Sequence, residues 1–183
     1  IPPGTLLLLD EAYVEFAPAE AVPSIEIEDP RVIRMRTFSK AYGMAGARVG
    51  YAFGSMELIA SFEKIRNHFG MNRAAQTAAI AALQDVDWLR KTITDVETSR
   101  QVISQIAADN GLVALPSATN FVTIDCGRDG DYARRVLGSL VAQGVFVRMP
   151  FVAPQDRCIR ISAGREQELA HVAAALPKAL AVA

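Results

Sequence analysis

The sequence is poor in the residues that build disulfide frameworks, metal centres and membrane spans. Its 183 residues include two cysteines and two histidines, and no cysteines form a CxxC pair. Cys126 and Cys158 lie in separate apolar segments, which predicts two reduced, mostly buried thiols of a cytoplasmic protein rather than a disulfide or a metal site. No apolar stretch approaches the length of a transmembrane helix.

The sequence also lacks an excess of charge of either sign. Its 19 Lys and Arg residues and 20 Asp and Glu residues give a net charge of -1. Such a balance provides no basic surface for nucleic acid or an anionic membrane, so we expect neither as a partner. A hydrophobic content of 51% is typical of a globular protein with a substantial core.

The segment 37–48 concentrates reactive residues. Lys40 follows Ser39, precedes small residues and glycines, and is separated from Arg48 by eight positions. A tight, glycine-containing backbone would fix the lysine, and the arginine would reach the same pocket. The pattern suits a lysine that forms a covalent imine with a phosphorylated aldehyde cofactor, whose phosphate the serine and arginine bind. The alternative is an exposed lysine in a flexible loop.

Three apolar segments predict strands that deliver further polar groups to this lysine. The run 5–9 predicts a strand buried on both faces of a parallel sheet, with Asp10 and Tyr13 at its carboxyl end. Two more strands are predicted over 32–38 and 48–53. A carboxylate beside the pyridine nitrogen and a phenol beside the ring oxygen are groups that pyridoxal phosphate chemistry uses. A turn aspartate and a half-buried aromatic are the alternatives.

The segments 10–13 and 37–51 resemble the cofactor motifs of fold-type I aminotransferases, and most closely those of the histidinol-phosphate aminotransferase branch. The resemblance implies that Lys40 forms the imine, that Asp10 pairs with the pyridine nitrogen and that Tyr13 contacts the ring oxygen. It further implies that the cofactor phosphate is bound by Thr37, Ser39 and Arg48.

A third motif of the same family covers 158–166. Its Arg160 matches the arginine that grips the anionic end of the substrate, and an unpaired arginine within an apolar Ile-Arg-Ile run would be costly. Asn120 resembles the family's Asn-Phe strand entry, and Arg148 precedes a Met-Pro turn facing the cleft. These two are the other candidate substrate-binding residues, with a turn asparagine and a surface arginine as alternatives.

The resemblance extends over essentially the whole chain and implies an α/β fold of the fold-type I PLP-transferase kind. Residues 1–87 are expected to form the second half of the large, parallel-sheet PLP-binding domain, and 88–183 a connecting helix and a small α+β domain. The family's glycine-rich phosphate turn and ring-stacking aromatic are missing, and the sequence begins with Ile1. We therefore expect the C-terminal part of a longer enzyme.

Periodicity predicts the remaining elements. Helices are expected over 57–67, 73–84, 86–110, 132–143 and 166–180. Further strands are expected over 112–115, 120–125, 145–148 and 158–162. In the family, the segment that interrupts the helices after 57–67 lies near the active site, and it is often contributed to that site across a dimer interface. His68 lies in this break, where a structural or surface histidine is more common than a catalytic one.

The sequence thus predicts an aminotransferase that moves an amino group from a donor, either histidinol phosphate or an aromatic amino acid, to a 2-oxo acid. By resemblance, its cofactor is pyridoxal 5'-phosphate and its full-length form is a homodimer. Two alternatives stay open. One is a PLP-dependent decarboxylase of a phosphorylated amino acid, and the other is an inactive folded remnant that lacks half of the cofactor pocket.

Overall fold

The computed structural model describes residues 1–183, which divide into two compact units, Ile1–Ile93 and Thr94–Ala183. The division falls inside a long helix, six residues after the domain boundary expected at 87. The assignment of the two parts as functional domains stays a prediction.

The first unit is built on a three-stranded mixed sheet in the order β1-β2-β3. Its strands are β1 (Leu7–Asp10), β2 (Val32–Thr37) and β3 (Gly50–Gly54). β1 pairs with β2 in parallel, and β2 pairs with β3 in antiparallel fashion. All three strands overlap the segments predicted from sequence.

The antiparallel direction of β3 departs from the expected parallel sheet. Residues 38–49 between β2 and β3 contain only a short 3-10 turn. Parallel neighbours need a crossover connection, usually a helix, that carries the chain back to the starting edge. Without that crossover the chain reverses directly, and β3 runs against β2.

The burial of β1 also differs from the expectation of a strand covered on both faces. Leu6 and Leu8 are 44% and 57% exposed, and Leu7 and Leu9 are only half-buried. β1 is also an edge strand, with β2 as its one neighbour, and the side chains on its two faces are only partly covered by other parts of the chain. The prediction of a strand from this apolar run is confirmed. The prediction that both faces of the strand are buried is wrong.

Two helices, α1 (Met56–Phe62) and α2 (Arg73–Gln84), follow the sheet in this unit. A third helix, α3 (Val86–Asp109), begins in this unit and ends in the second. α2 has the predicted bounds because the Asn72 side chain accepts a hydrogen bond from Ala75 N at 2.7 Å and so caps the helix. Ala75 and Ala79 pack against Phe38 and Val49, which flank the loop between β2 and β3. α1 is shorter than the predicted 57–67 because the chain continues in tight turns after Phe62.

The second unit packs helices against an antiparallel sheet of order β4-β5-β6. Its elements are the end of α3, β4 (Val113–Ala114), β5 (Phe121–Asp125), α4 (Gly130–Ala142), β6 (Cys158–Ser162) and α5 (Glu166–Val182). Ile103, Ile124, Leu140, Ile159 and Leu176 are fully buried at its centre. The predicted strand at 145–148 is reduced to one bridge, at which Arg148 pairs with Arg160.

Both cysteines are free and buried, as the sequence predicted. Burial raises the pKa of the Cys126 thiol to about 11, so the thiol is held in its neutral form. No group of His, Cys, Asp and Glu side chains has the geometry of a metal site. None of the helices has both the length and the apolar character needed to cross a membrane.

The core of the second unit gives a stability prediction. Ile124 has no exposed surface, so Ile124→Ala should lower the free energy of unfolding by about 3 kcal/mol, through lost burial and the cavity left behind. Val113, on the adjoining strand, is 62% exposed, and Val113→Ala should change stability by less than about 0.5 kcal/mol. Urea unfolding of both variants measures the difference. Equal losses would show that this cluster is not the core of the unit.

Candidate functional site

One edge of the mixed sheet collects the candidate cofactor residues of the first unit. The carboxyl ends of β1 and β2 lie at the same edge because these strands are parallel. The amino end of β3 joins them there because β3 is antiparallel and Gly50 pairs with Thr37. Residues that follow β1, follow β2 or precede β3 therefore share one edge.

The loop that carries Lys40 is fixed by hydrogen bonds between backbone groups. Phe38 N donates to Val49 O at 3.2 Å, and Met44 N donates to Phe38 O at 2.9 Å. Gly43 N donates to Lys40 O at 2.9 Å, with Gly43 at a φ of 69°, where a side chain would be strained. The backbone around the lysine is thus a closed turn, as the glycine-containing segment predicted.

The structure brings Lys40 together with Tyr13. The lysine Nζ lies 5.2 Å from the centroid of the Tyr13 ring. Tyr13 sits in a turn directly after β1, where Val14 N donates to Glu11 O at 3.1 Å and Phe16 N donates to Tyr13 O at 3.0 Å. The phenol and the amine therefore border one space at the sheet edge.

The structure also brings together the three predicted phosphate-binding residues. Arg48 Nη1 donates to Ser39 Oγ at 3.4 Å and to Ala45 O at 2.9 Å. Ser39 N donates to Thr37 Oγ1 at 3.0 Å. Arg48 has a φ of 52°, a left-handed conformation that few non-glycine residues adopt, and its guanidinium pairs with no carboxylate. A strained, unneutralised arginine beside a hydroxyl suits an anionic ligand.

Asp10 ends β1 at the same edge, with its carboxylate exposed. Asp10 Oδ1 accepts a hydrogen bond from Ala12 N at 3.0 Å, which orients the side chain as in an Asx turn. The predicted turn role and the predicted cofactor role are compatible, because a carboxylate has further lone pairs to offer. Together with the lysine, phenol, hydroxyls and guanidinium, this donor set fits a phosphorylated aldehyde cofactor with a ring nitrogen.

A buried ion cluster behind this edge was missed in the sequence. Glu11 Oε1 accepts from Arg34 Nε at 2.8 Å and also from Arg34 Nη2, while Glu11 Oε2 accepts from Arg36 Nε at 2.9 Å. Both guanidinium groups lie over the Phe53 ring, at 5.4 and 5.3 Å. Arginines at alternate positions of an apolar strand were the available signal, since buried arginines require an anionic partner.

Two carboxyl groups in this region, those of Glu11 and Glu15, have pKa values shifted in opposite directions. Burial raises the pKa of Glu11, but the hydrogen bonds and charges of Arg34 and Arg36 outweigh it and lower the pKa overall. Burial raises the pKa of Glu15, whose Oε2 is buried without a hydrogen-bond partner. Burial and the Glu15 charge likewise raise the pKa of Tyr42.

The second unit holds the candidate substrate-binding residues. The Arg160 guanidinium lies 4.5 Å from the centroid of the Phe121 ring, and no carboxylate pairs with it. Arg148 and Arg160 exchange backbone hydrogen bonds at 3.1 and 2.6 Å. Asn120 O accepts from Ala163 N at 2.8 Å, next to β6. The structure thus places all three residues around the β5–β6 pair, and it adds Phe121 as a platform that the sequence did not single out.

His68 lies in the exposed turn that follows α1. Its neighbour Phe69 is 94% exposed, and Phe69 N donates to Asn67 Oδ1 at 3.0 Å within the same turn. The turn keeps His68 exposed to solvent. A catalytic role for His68 has no support in the structure.

Known aminotransferases match most or all of this chain. It is 41% identical to histidinol-phosphate aminotransferase 2 of Ralstonia nicotianae, a match that covers 100% of this chain and 50% of the relative. It is 42% identical to an aromatic amino acid aminotransferase of Corynebacterium efficiens over 81% of this chain and 42% of the relative. The chain thus spans about half the length of the curated relatives it matches.

Solved structures agree with the expected fold. A crystal structure of histidinol-phosphate aminotransferase from Sinorhizobium meliloti in complex with pyridoxal-5'-phosphate superposes with a TM-score of 0.96 at 54% identity, over 100% of this chain and 50% of that one. The expected α/β fold of a fold-type I enzyme is therefore confirmed for this part. The sequence profile of the family described as aminotransferase class I and II matches residues 3–176. With the family profile and the named relatives in agreement, this chain belongs to the aminotransferase class I and II family.

Proposed function

We propose that the complete protein is a pyridoxal phosphate-dependent aminotransferase that transfers an amino group from histidinol phosphate or an aromatic amino acid to a 2-oxo acid. The observation that carries this proposal is the sheet edge at which Lys40 faces Tyr13 while Arg48 pairs with Ser39. The named relatives, a histidinol-phosphate aminotransferase and an aromatic amino acid aminotransferase, support the substrate classes.

The residues of the first unit have distinct tasks in this proposal. Bound pyridoxal phosphate would supply an electron-accepting ring that stabilises negative charge on the substrate carbon next to the amino group. Arg48, Ser39 and Thr37 would bind its phosphate through charge-assisted and neutral hydrogen bonds. The Asp10 carboxylate would keep the ring nitrogen protonated, and the Tyr13 phenol would donate to the ring oxygen.

Lys40 would both anchor the cofactor covalently and move the proton. As a free amine, Lys40 would act as the general base that takes the proton from the substrate carbon next to the amino group, and its ammonium would then act as the general acid that gives the proton back. The closed turn that contains Gly43 limits how far this lysine can move, which keeps its Nζ near the reacting atoms.

Arg160 would bind the substrate's carboxylate or phosphate. Its guanidinium has no anionic partner and lies over the Phe121 ring, which helps to hold the side chain in place. A guanidinium can donate two parallel hydrogen bonds to one carboxylate or phosphate. Arg148 and Asn120 would support this binding, since both join β6 through backbone hydrogen bonds.

The complete enzyme would act as a homodimer in the cytoplasm. Free, neutral thiols at Cys126 and Cys158 support a reducing compartment. Ile65 and Phe69 are 84% and 94% exposed near each other in sequence, which supports coverage of this turn by a second copy.

Loss of the lysine tests the cofactor chemistry. Lys40→Ala should remove the visible absorbance of the lysine-linked cofactor and lower turnover by about 10²–10⁴-fold or more, because the general base is lost. Lys178→Ala, at an exposed position of α5, is the matched control and should behave as the parent protein. Absorbance spectra and formation of the 2-oxo acid from the donor are the measurements. Full activity of Lys40→Ala would refute the proposal, and release of carbon dioxide in place of a 2-oxo acid would identify the decarboxylase instead.

Weakening of the phosphate contacts should act on cofactor affinity. Arg48→Gln removes a charged hydrogen-bond donor and should raise the dissociation constant of pyridoxal phosphate by about 10–100-fold. Ser39→Ala removes a neutral partner and should raise it by less than about tenfold. Titration followed by absorbance gives both constants. An unchanged constant in Arg48→Gln would show that the phosphate binds elsewhere.

Substitution of Arg160 should act on the substrate and leave the cofactor in place. Arg160→Gln should raise the KM for the amino donor or the 2-oxo acid by about 10–100-fold, since a charged hydrogen bond to an anion is lost. The cofactor spectrum should be unaltered. Arg134→Gln, on the exposed face of α4, serves as the control for loss of one positive charge. Equal KM values in the two variants would exclude Arg160 from substrate binding.

A further inference from the structure

The ion cluster around Glu11 lies on the opposite face of the sheet from Asp10 and Thr37. Side chains alternate between the two faces of a strand, so Asp10 and Glu11 at the end of β1 point to opposite sides. Asp10 pairs in register with Met35, whereas the Glu11 side chain contacts Arg34 and Arg36, the neighbours of Met35 in β2. Glu11 therefore has no direct access to a ligand that Asp10 binds.

Glu11 is fixed more tightly than the residues on either side of it. It is 6% exposed, and its carboxylate receives three hydrogen bonds from two arginines. Its backbone is held as well, because Glu11 N donates to Met35 O at 2.8 Å and Glu11 O accepts from Val14 N at 3.1 Å. Glu11 thus makes both the last hydrogen bond between β1 and β2, through its N–H, and the first hydrogen bond of the following turn, through its carbonyl oxygen.

The residues that carry the chemistry, Asp10 and Tyr13, are joined to Glu11 through one or two peptide units. Asp10 has an exposed carboxylate held by one hydrogen bond from Ala12 N, within the same turn. Tyr13 belongs to the turn that starts at Glu11 O. A displacement of Glu11 is transmitted to both through one or two peptide units, which are rigid.

We infer that Glu11, clamped by Arg34 and Arg36, is a positioning residue that sets the places of the Asp10 carboxylate and the Tyr13 phenol from behind the sheet. This inference rests on the proposed function, since it assigns both groups to the cofactor. Glu11 itself touches neither cofactor nor substrate. Because reacting groups must be held within a fraction of an ångström, a shift of about 1 Å at these two residues lowers turnover by about 10²-fold.

Phe53 completes the clamp from β3. Both guanidinium groups lie over its ring, and this contact helps to hold them beside the Glu11 carboxylate. Arg34 is 9% exposed, so it would be left charged and buried if Glu11 were removed. A single Glu11→Ala substitution would therefore perturb folding as well as position, and a second variant is needed.

The test uses two variants of the complete, cofactor-loaded protein. Glu11→Gln keeps an acceptor oxygen and the side-chain volume, and it should lower kcat per bound cofactor by about three- to tenfold. The double variant Glu11→Met with Arg34→Met replaces the buried ion pair by apolar side chains, which preserves packing. It should stay folded, lower kcat per bound cofactor by about 10–100-fold, and leave the KM of the substrate bound by Arg160 within about twofold.

Measurements without turnover complete the test. The double variant should bind pyridoxal phosphate about tenfold more weakly and reduce the visible circular dichroism of the bound cofactor, because the ring loses its fixed partners. Asp125→Asn breaks a half-buried ion pair with Arg157 in the second unit and should change none of these values. A folded double variant with parental kcat, affinity and dichroism would overturn the inference. Absence of the cofactor signal in the parent protein would instead refute the proposed function.

Discussion

The register of the three-stranded mixed sheet determines where every cofactor residue lies. The parallel pairing of β1 with β2 brings two carboxyl ends to one edge, and the antiparallel return of β3 adds an amino end to it. Gly50 permits this return, because a Cβ there would lie 2.7 Å from Arg36 O. A shift of one residue in either pairing would move Asp10 or the lysine loop to the wrong face. The pairing of the backbone strands therefore determines where the site residues lie along the sheet.

Side chains on the two faces of this sheet divide the work between chemistry and support. The loop between β2 and β3 carries exposed or half-buried charged groups that form no ion pair within the chain, namely Lys40 and Arg48. On the other face of the sheet, the Glu11 carboxylate forms ion pairs with both Arg34 and Arg36. Groups that must bind a ligand need unused hydrogen-bonding capacity, whereas groups that fix the backbone need the opposite.

The sequence predicted those parts of the structure whose causes are local. α2 and β6 were predicted with the observed bounds because a capping asparagine and a short, mostly apolar run act within a few residues. The lysine loop was predicted from its glycines, which is also a local signal. The direction of β3, the exposure of β1 and the loss of the strand at 145–148 depend on partners far along the chain. Glu11 was missed for the same reason, since Arg34 is 23 residues away in sequence.

The central claim is that Lys40 is the residue to which the cofactor becomes covalently attached. Borohydride reduction of the complete protein after incubation with pyridoxal phosphate, followed by peptide mass spectrometry, tests this most directly. The predicted result is one stable pyridoxyl adduct, carried by the peptide that contains Ser39, Lys40 and Gly43. No adduct at all, or an adduct confined to another lysine such as Lys64 or Lys91, would contradict the account.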